Sequence, residues 1–177
     1  MMYKLYNFEF PDELLQSITP KYYSGLYTTY FNEKDINCAT YYHGILDTVT
    51  KDLGLNHRCK YTNYIWAQVY DKTIGHGLHD HYSPSTLFSW VHFINPLDTK
   101  CFFFIDTEGN KFYPPQQKND FIIFPSWASH EVEETHVKGR AIVAGNVRCD
   151  IMEASLGVST HTNIHEKLSV WEVKDPT

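Results

Sequence analysis

The residues best suited to chemistry in this sequence are histidines, and the densest group is Gly75-His76-Gly77-Leu78-His79-Asp80-His81. On extended backbone, side chains two apart project to one face, so His79 and His81 would stand side by side. Two neutral imidazoles on one face can serve as adjacent ligands to a divalent metal. Asp80 then points the other way and becomes a ligand only if the backbone turns there, which makes it the alternative. His76 has the wrong parity and lies between two glycines, so it ranks third. Taken alone, an HxH pair is more often a solvated, histidine-rich loop than a metal site.

Further along, Asn119 to Val132 reads as a turn, an apolar strand, a corner at Pro125-Ser126-Trp127 and then His130. A histidine that follows a buried strand and a rigid corner is well held, as a third ligand must be. By itself His130 is better read as a surface residue opening the next segment. Together with the HxH pair it matches a facial metal site on facing strands.

Arg140 follows at the head of the apolar stretch RAIVAGNV and is one of three arginines in the chain, with Arg58 and Arg148. A cation that turns inward there needs a partner. A bound dicarboxylate would supply one, because the guanidinium fork matches a carboxylate in bidentate geometry. The competing reading is an arginine exposed at a strand end. Asn146 shares the face of Arg140 by parity and either contacts a ligand or supports the site.

The elements that must position these residues are strands. Residues 1–10 read as an initial strand. A short helix covers 11–18, with acids in its first turn, where the helix dipole favours them. The spacing of Tyr42, Ile45, Leu46 and Val49 predicts a helix over 39–53 with one buried face, stopped by Gly54. Strands are then expected over 61–70, 87–94, 101–105, 120–124, 140–147 and 167–173, with a loop over 71–78. Turn residues at short intervals between them are the mark of an antiparallel sandwich or barrel. Helices first and strands afterwards suggest a mainly β fold with N-terminal helices packed on one sheet. With no repeat or linker, residues 1–177 are expected to form a single domain.

Composition narrows the function classes. The 177 residues are 42% hydrophobic and 20% charged, the balance of an ordinary globular chain, and the 16% aromatic content favours strands and pocket walls. A net charge of −6 without a Lys/Arg stripe speaks against nucleic acid as partner. Cys38, Cys59, Cys101 and Cys149 form no CxxC pair, as expected of reduced thiols in a cytoplasmic protein. No apolar run approaches ~18 residues, and no basic and then apolar leader is seen, so no membrane or export role is expected. Neither a Gly-x-Ser-x-Gly elbow nor a phosphate-binding glycine loop occurs.

HxH, then Phe124-Pro125-Ser126-Trp127 with His130 and Val132, then Arg140 in an apolar strand ending near Asn146, resembles the 2-oxoglutarate/Fe(II)-dependent oxygenase superfamily. The likeness is to its small prolyl-hydroxylase-like members of bacteria and phages, and it spans about residues 66 to 147, including STLFSWVHFI from Ser85. The resemblance implies a double-stranded β-helix, a cupin-like jelly roll with the metal in its open mouth. It also implies Fe(II) held by His79, His81 and His130, with 2-oxoglutarate anchored by Arg140 and Asn146 close by. The implied reaction consumes O2 and 2-oxoglutarate and hydroxylates an unactivated C–H bond of a peptidyl, prolyl-type substrate or of a small molecule.

The sequence departs from the family pattern in two places. The usual triad is His-x-Asp/Glu…His, and here His81 takes the carboxylate's place. Trp90 and His92 also stand in the strand after HxH, where a small residue and a tyrosine are more usual, and this alters the expected pocket wall. Tyr61, Tyr64, Trp66, Tyr70, Trp90, His92 and Trp127 are the candidates for the mouth. Two other readings share the fold: a cupin-type metal enzyme without 2-oxoglutarate, and a non-catalytic jelly-roll binding module. The absence of an acid in Tyr82–Leu87, where cupins usually add a Glu, and the presence of Arg140 favour the oxygenase.

Overall fold

The computed structural model describes residues 2–18, 20–23, 26–30, 38–55, 60–70, 75–98, 100–149 and 168–172. At 26 and 168–172 it describes the backbone alone. Cys59, the first half of the expected loop over 71–78 and the polar stretch 155–166 lie outside these residues.

In chain order the elements are β1 (Lys4–Asn7), α1 (Asp12–Ser17), β2 (Lys21–Tyr23), β3 (Leu26–Thr28) and α2 (Ala39–Asp52). Strands β4 (Lys60–Tyr70), β5 (His76–His79), β6 (Thr86–Asn95), β7 (Phe102–Ile105) and β8 (Lys111–Phe112) follow. The series ends with β9 (Asp120–Pro125), β10 (His130–Val132), β11 (Arg140–Cys149) and β12 (Leu168–Glu172).

Among the described residues the strands form two antiparallel sheets, as a jelly roll requires. The larger runs β1-β9-β6-β11-β4-β3-β2, with β12 also on β4, and the smaller runs β5-β10-β7-β8. No described helix is long and apolar enough to cross a membrane.

Strand period two gives the large sheet two faces with different partners. Trp90 and Ile94, Phe121 and Ile123, and Ala141, Val143 and Val147 share one core cluster with Tyr42, Ile45, Leu46 and Val49 of α2. Burying each such large apolar side chain contributes roughly 1.5–3 kcal/mol, so α2 is held by its apolar face. It ends where Gly54 takes φ +69. The shorter α1 contributes no buried residue.

The alternate residues Val91, Phe93, Ile122, Phe124, Ile142 and Ala144 face the small sheet, where they meet Phe102, Phe104 and Val132. Arg140 lies on this inter-sheet face by parity with Ile142. It stands opposite Tyr70, a register set by the Gly139 N–H donating to the Tyr70 carbonyl at 2.7 Å.

His92 does not stand in the pocket wall, as the sequence had suggested. Its parity with Trp90 turns it to the α2 side, where the Tyr42 hydroxyl meets Nδ1 at 2.9 Å and Nε2 meets the Phe8 carbonyl at 2.8 Å. A carbonyl only accepts, so Nε2 carries the proton and Nδ1 accepts from Tyr42. Tyr61 belongs to the same outer cluster, and Trp127 is 61% exposed.

Burial pushes His92 down to about 4, against the opposing pull of the Phe8 carbonyl and, more weakly, Asp120. Between its ordinary 6.5 and about 4, the unfolded chain binds a proton that the folded chain does not. Stability therefore falls as pH falls through that window, by about 3 kcal/mol from this residue. In urea titrations of metal-free protein at pH 7 and pH 4.5, His92→Gln is expected to lose about 3 kcal/mol of the dependence and to keep the share that the buried His81 and His130 contribute. An unchanged pH dependence in the variant would remove His92 as its cause.

Candidate metal centre

The three histidines converge, but by a different route from simple strand parity. His79 closes β5 and His130 opens β10, and the two are direct cross-strand partners. His81 lies beyond the end of β5. Its backbone N–H donates to the Ser126 carbonyl at 2.9 Å, which ties it to the Pro125-Ser126 corner. Ser126 is itself fixed by a bond from its hydroxyl to the Thr86 carbonyl at 2.7 Å. The proline-bearing corner thus positions two of the histidines, His130 following it in the chain and His81 across from it.

One nitrogen of each ring lies within 4.8 Å of the others. Ring centroids are 4.3 Å apart for His79–His130 and 5.1 Å for both His79–His81 and His81–His130. Nδ1 of His130 donates to the Ala128 carbonyl at 2.8 Å, and Nδ1 of His79 to the Gly77 carbonyl at 2.7 Å. Each bond fixes the tautomer and leaves Nε2 with its lone pair, as metal-binding imidazoles require.

Burial pushes His81 down to about 4, helped by the neighbouring His79, and it is the largest cause that takes His130 down to about 3. Both rings are therefore neutral at pH 7. Neutral, oriented nitrogen donors fit a divalent first-row metal. Asp80 is exposed and accepts the Tyr82 N–H at 3.0 Å, outside the trio.

The trio opens onto a cavity of about 420 Å³ between the sheets, bordered also by Trp66, Gln68, Tyr70, Ser89, Val91 and His76. No Asp, Glu, Lys or Arg stands among the described residues of its wall. Of the residues expected at the mouth, Trp66 and Tyr70 line it, and Trp90 borders it beside Gly145. At Gly145 an added Cβ would fall 2.5 Å from the Trp90 ring, so only glycine lets the indole cross there.

Gln68, Ser89 and His76 were not singled out as lining residues. Gln68 could have been found from its parity with Trp66 and Tyr70. Asn146 is joined to the site through Ser89, whose hydroxyl donates to its Oδ1 at 2.8 Å.

Arg140 stands one layer back from the cavity wall. It is 2% exposed, with the guanidinium carbon 3.9 Å from the centre of the Tyr70 ring. Nη1 donates to Cys101 Sγ, and Nε and Nη2 have no partner. The Tyr70 hydroxyl donates to Gln68 at 2.9 Å. Burial holds the phenol up at about 12, against the pull of the Arg140 charge.

No family model matches the sequence, and no curated protein does. Solved structures match the fold. A prolyl hydroxylase from Trichoplax adhaerens, in complex with a hypoxia inducible factor peptide fragment, has a TM-score of 0.62 at 15% identity over 89% of this chain and 87% of its own. A Pseudomonas putida prolyl-4-hydroxylase gives 0.60 at 14% identity, over 82% and 92%. An oxidoreductase of the 2OG-Fe(II) oxygenase family from Burkholderia pseudomallei gives 0.57 at 14%, over 77% and 75%. The chain has the fold of the 2-oxoglutarate/Fe(II) oxygenases.

Proposed function

We propose that this chain is a single-domain, Fe(II)- and 2-oxoglutarate-dependent dioxygenase that hydroxylates an unactivated C–H bond of a peptidyl substrate. The observation that carries the reading is the buried guanidinium of Arg140 with two unpartnered N–H donors, on the same inter-sheet face as three convergent histidines. A buried cation without a full set of partners is costly. Nε and Nη2 form the side-on edge of the fork, the edge that takes a carboxylate in two parallel bonds.

Charge supports a dianion. Imidazole ligands carry no charge when they hold a metal, so a bound dication is left uncompensated, and the described wall offers no carboxylate. In this reading His79, His81 and His130 hold the metal, which when bound supplies O2 activation and chelation of the co-substrate. Arg140 takes the far carboxylate, for which the Tyr70 side chain has to shift from its place on Gln68. Ser89, held by Asn146, places a hydroxyl on the wall. Trp66 and the phenols near it exclude water from the metal side. The peptide bound to the Trichoplax adhaerens enzyme of the same fold supports a peptidyl substrate.

Anaerobic titration of metal-free protein with Fe(II) and then 2-oxoglutarate tests the assignment. A metal-to-ligand charge-transfer band is expected on adding 2-oxoglutarate. Iron binding without the band would favour a cupin-type enzyme, and no iron binding would leave a non-catalytic jelly roll.

A further inference from the structure

We propose that Cys101 is a thiolate in the ligand-free protein, acting as the built-in counter-ion of Arg140, and that it takes up a proton when a carboxylate occupies the other edge of the guanidinium. The effect on co-substrate binding rests on the 2-oxoglutarate reading above, whereas the ion pair itself does not.

Two observations meet here. The first is the contact: Nη1 of Arg140 donates to Cys101 Sγ, and both residues are 2% exposed. The second is the state of the rest of the guanidinium, whose Nε and Nη2 are buried without partners. With Cys101 protonated, the site would hold a buried cation whose described contacts are a thiol and the face of Tyr70. With Cys101 ionised, the pair is neutral as a whole. Burial alone favours the thiol, but an adjacent fixed cation favours the thiolate, and in a site of low dielectric direct contact decides.

The sulfur is held in place from the backbone. The Gln116 side chain accepts both the Cys101 N–H at 3.1 Å and the Phe102 N–H at 2.9 Å, and returns a bond to the Phe102 carbonyl at 2.6 Å. Sγ therefore engages Nη1 and leaves the Nε–Nη2 edge clear.

The other titratable groups facing the pair do not supply the missing charge. Tyr70 is a phenol held up at about 12. Glu133 gives its N–H to the Cys101 carbonyl, while its carboxylate turns to Lys111 and Tyr113. Lys100, next in sequence, is exposed.

The proton balance is simple. In the empty protein the S–H bond is broken, its proton is in solvent and its electron pair stays on sulfur, against Nη1. When a carboxylate takes Nε and Nη2, two anions share one cation, and the more basic sulfur recovers a proton.

Thiolate absorbance near 240 nm in metal-free protein, titrated with acid, tests the pair without any co-substrate. Wild type is expected to show about one more thiolate per chain than Cys101→Ala at pH 7 and below, where an ordinary thiol of pKa ~8.5 is protonated. Arg140→Lys keeps that difference and Arg140→Gln loses it. Identical absorbance of wild type and Cys101→Ala at pH 7 overturns the proposal, as does a thiolate that survives in Arg140→Gln. If Arg140→Gln does not fold, the comparison with Cys101→Ala decides alone.

Calorimetry of 2-oxoglutarate binding to the Fe(II) protein, in buffers of different ionisation enthalpy, reads the second half. Uptake of about one proton is expected in wild type and none in Cys101→Ala. Binding with no proton uptake in wild type overturns the exchange. A protein that has the thiolate yet takes no 2-oxoglutarate overturns the co-substrate reading and leaves the ion pair standing.

Discussion

His130→Ala is expected to abolish metal binding, lowering affinity for Fe(II) or Co(II) by more than about 100-fold. Loss of a partner that merely orients a ligand already costs about 10–100-fold, and His130 is proposed as a ligand itself. Among the three histidines it is the most firmly held. It is 3% exposed, its Nδ1 is committed to Ala128, and its ring packs between Phe102 at 5.3 Å and Phe124 at 5.1 Å. The same packing complicates the experiment, because alanine leaves a void that costs roughly 2–5 kcal/mol. His130→Phe fills the volume without a donor, so it separates folding from binding. Calorimetric metal titration of both variants checks the point. A His130→Phe protein that folds and still binds Fe(II) with wild-type affinity would refute the assignment.

His81 is the more unusual member, since the resemblance in sequence leads one to expect a carboxylate at its position. The structure explains how it reaches the trio. Its N–H is caught by the Ser126 carbonyl, and its ring lies 6.1 Å from Trp66. Asp80, one residue earlier, is spent on the Tyr82 N–H in a local turn. The local backbone therefore selects the histidine.

Much of this site was legible in the sequence because its main parts sit on long, strongly patterned strands. Expectations of strands at 61–70, 87–94, 120–124 and 140–147 fall within observed β4, β6, β9 and β11. These are central strands whose β-branched and aromatic residues bury both faces, so pattern alone locates them. The short strands were another matter. β5 lies where a loop was expected, and β10 is three residues with a register irregularity against β5. Such strands exist because a partner offers its edge, and no local signal in His76–His79 or His130–Val132 announces the partner. The outward turn of His92 was also not legible: it reads as pocket wall until α2, packed on the other face, shows where its side chain goes, whereas Trp90 still borders the cavity beside Gly145. The sequence marks Arg140 as unusual by type and place, but its stacking on Tyr70 and its contact with Cys101 depend on register across three strands.

Arg140→Met is expected to weaken 2-oxoglutarate binding by about 100-fold, while Fe(II) affinity changes by less than about threefold. Truncating one partner of a buried, hydrogen-bonded charge pair costs about 2–5 kcal/mol, and 2.7 kcal/mol is a factor of about 100. The ligand-free protein is expected to respond in the opposite direction. Its buried guanidinium has two unpaired donors. With the cation gone Cys101 takes up a proton, so no unpaired charge is left behind. Replacing a buried ion pair by uncharged groups of similar volume is neutral or stabilising by about 1–4 kcal/mol. Arg140→Met should therefore equal or exceed wild type in thermal stability without ligand, and lose the extra stability that saturating 2-oxoglutarate confers on wild type. A structural arginine would behave the other way, destabilised when removed and indifferent to the co-substrate. Melting curves of both proteins, with and without 2-oxoglutarate, separate the two cases. A variant that melts lower yet keeps its co-substrate affinity would place Arg140 in the scaffold. A protein that tolerates this strain when empty and is relieved of it by a dicarboxylate has a cation positioned for its ligand at the expense of its own fold.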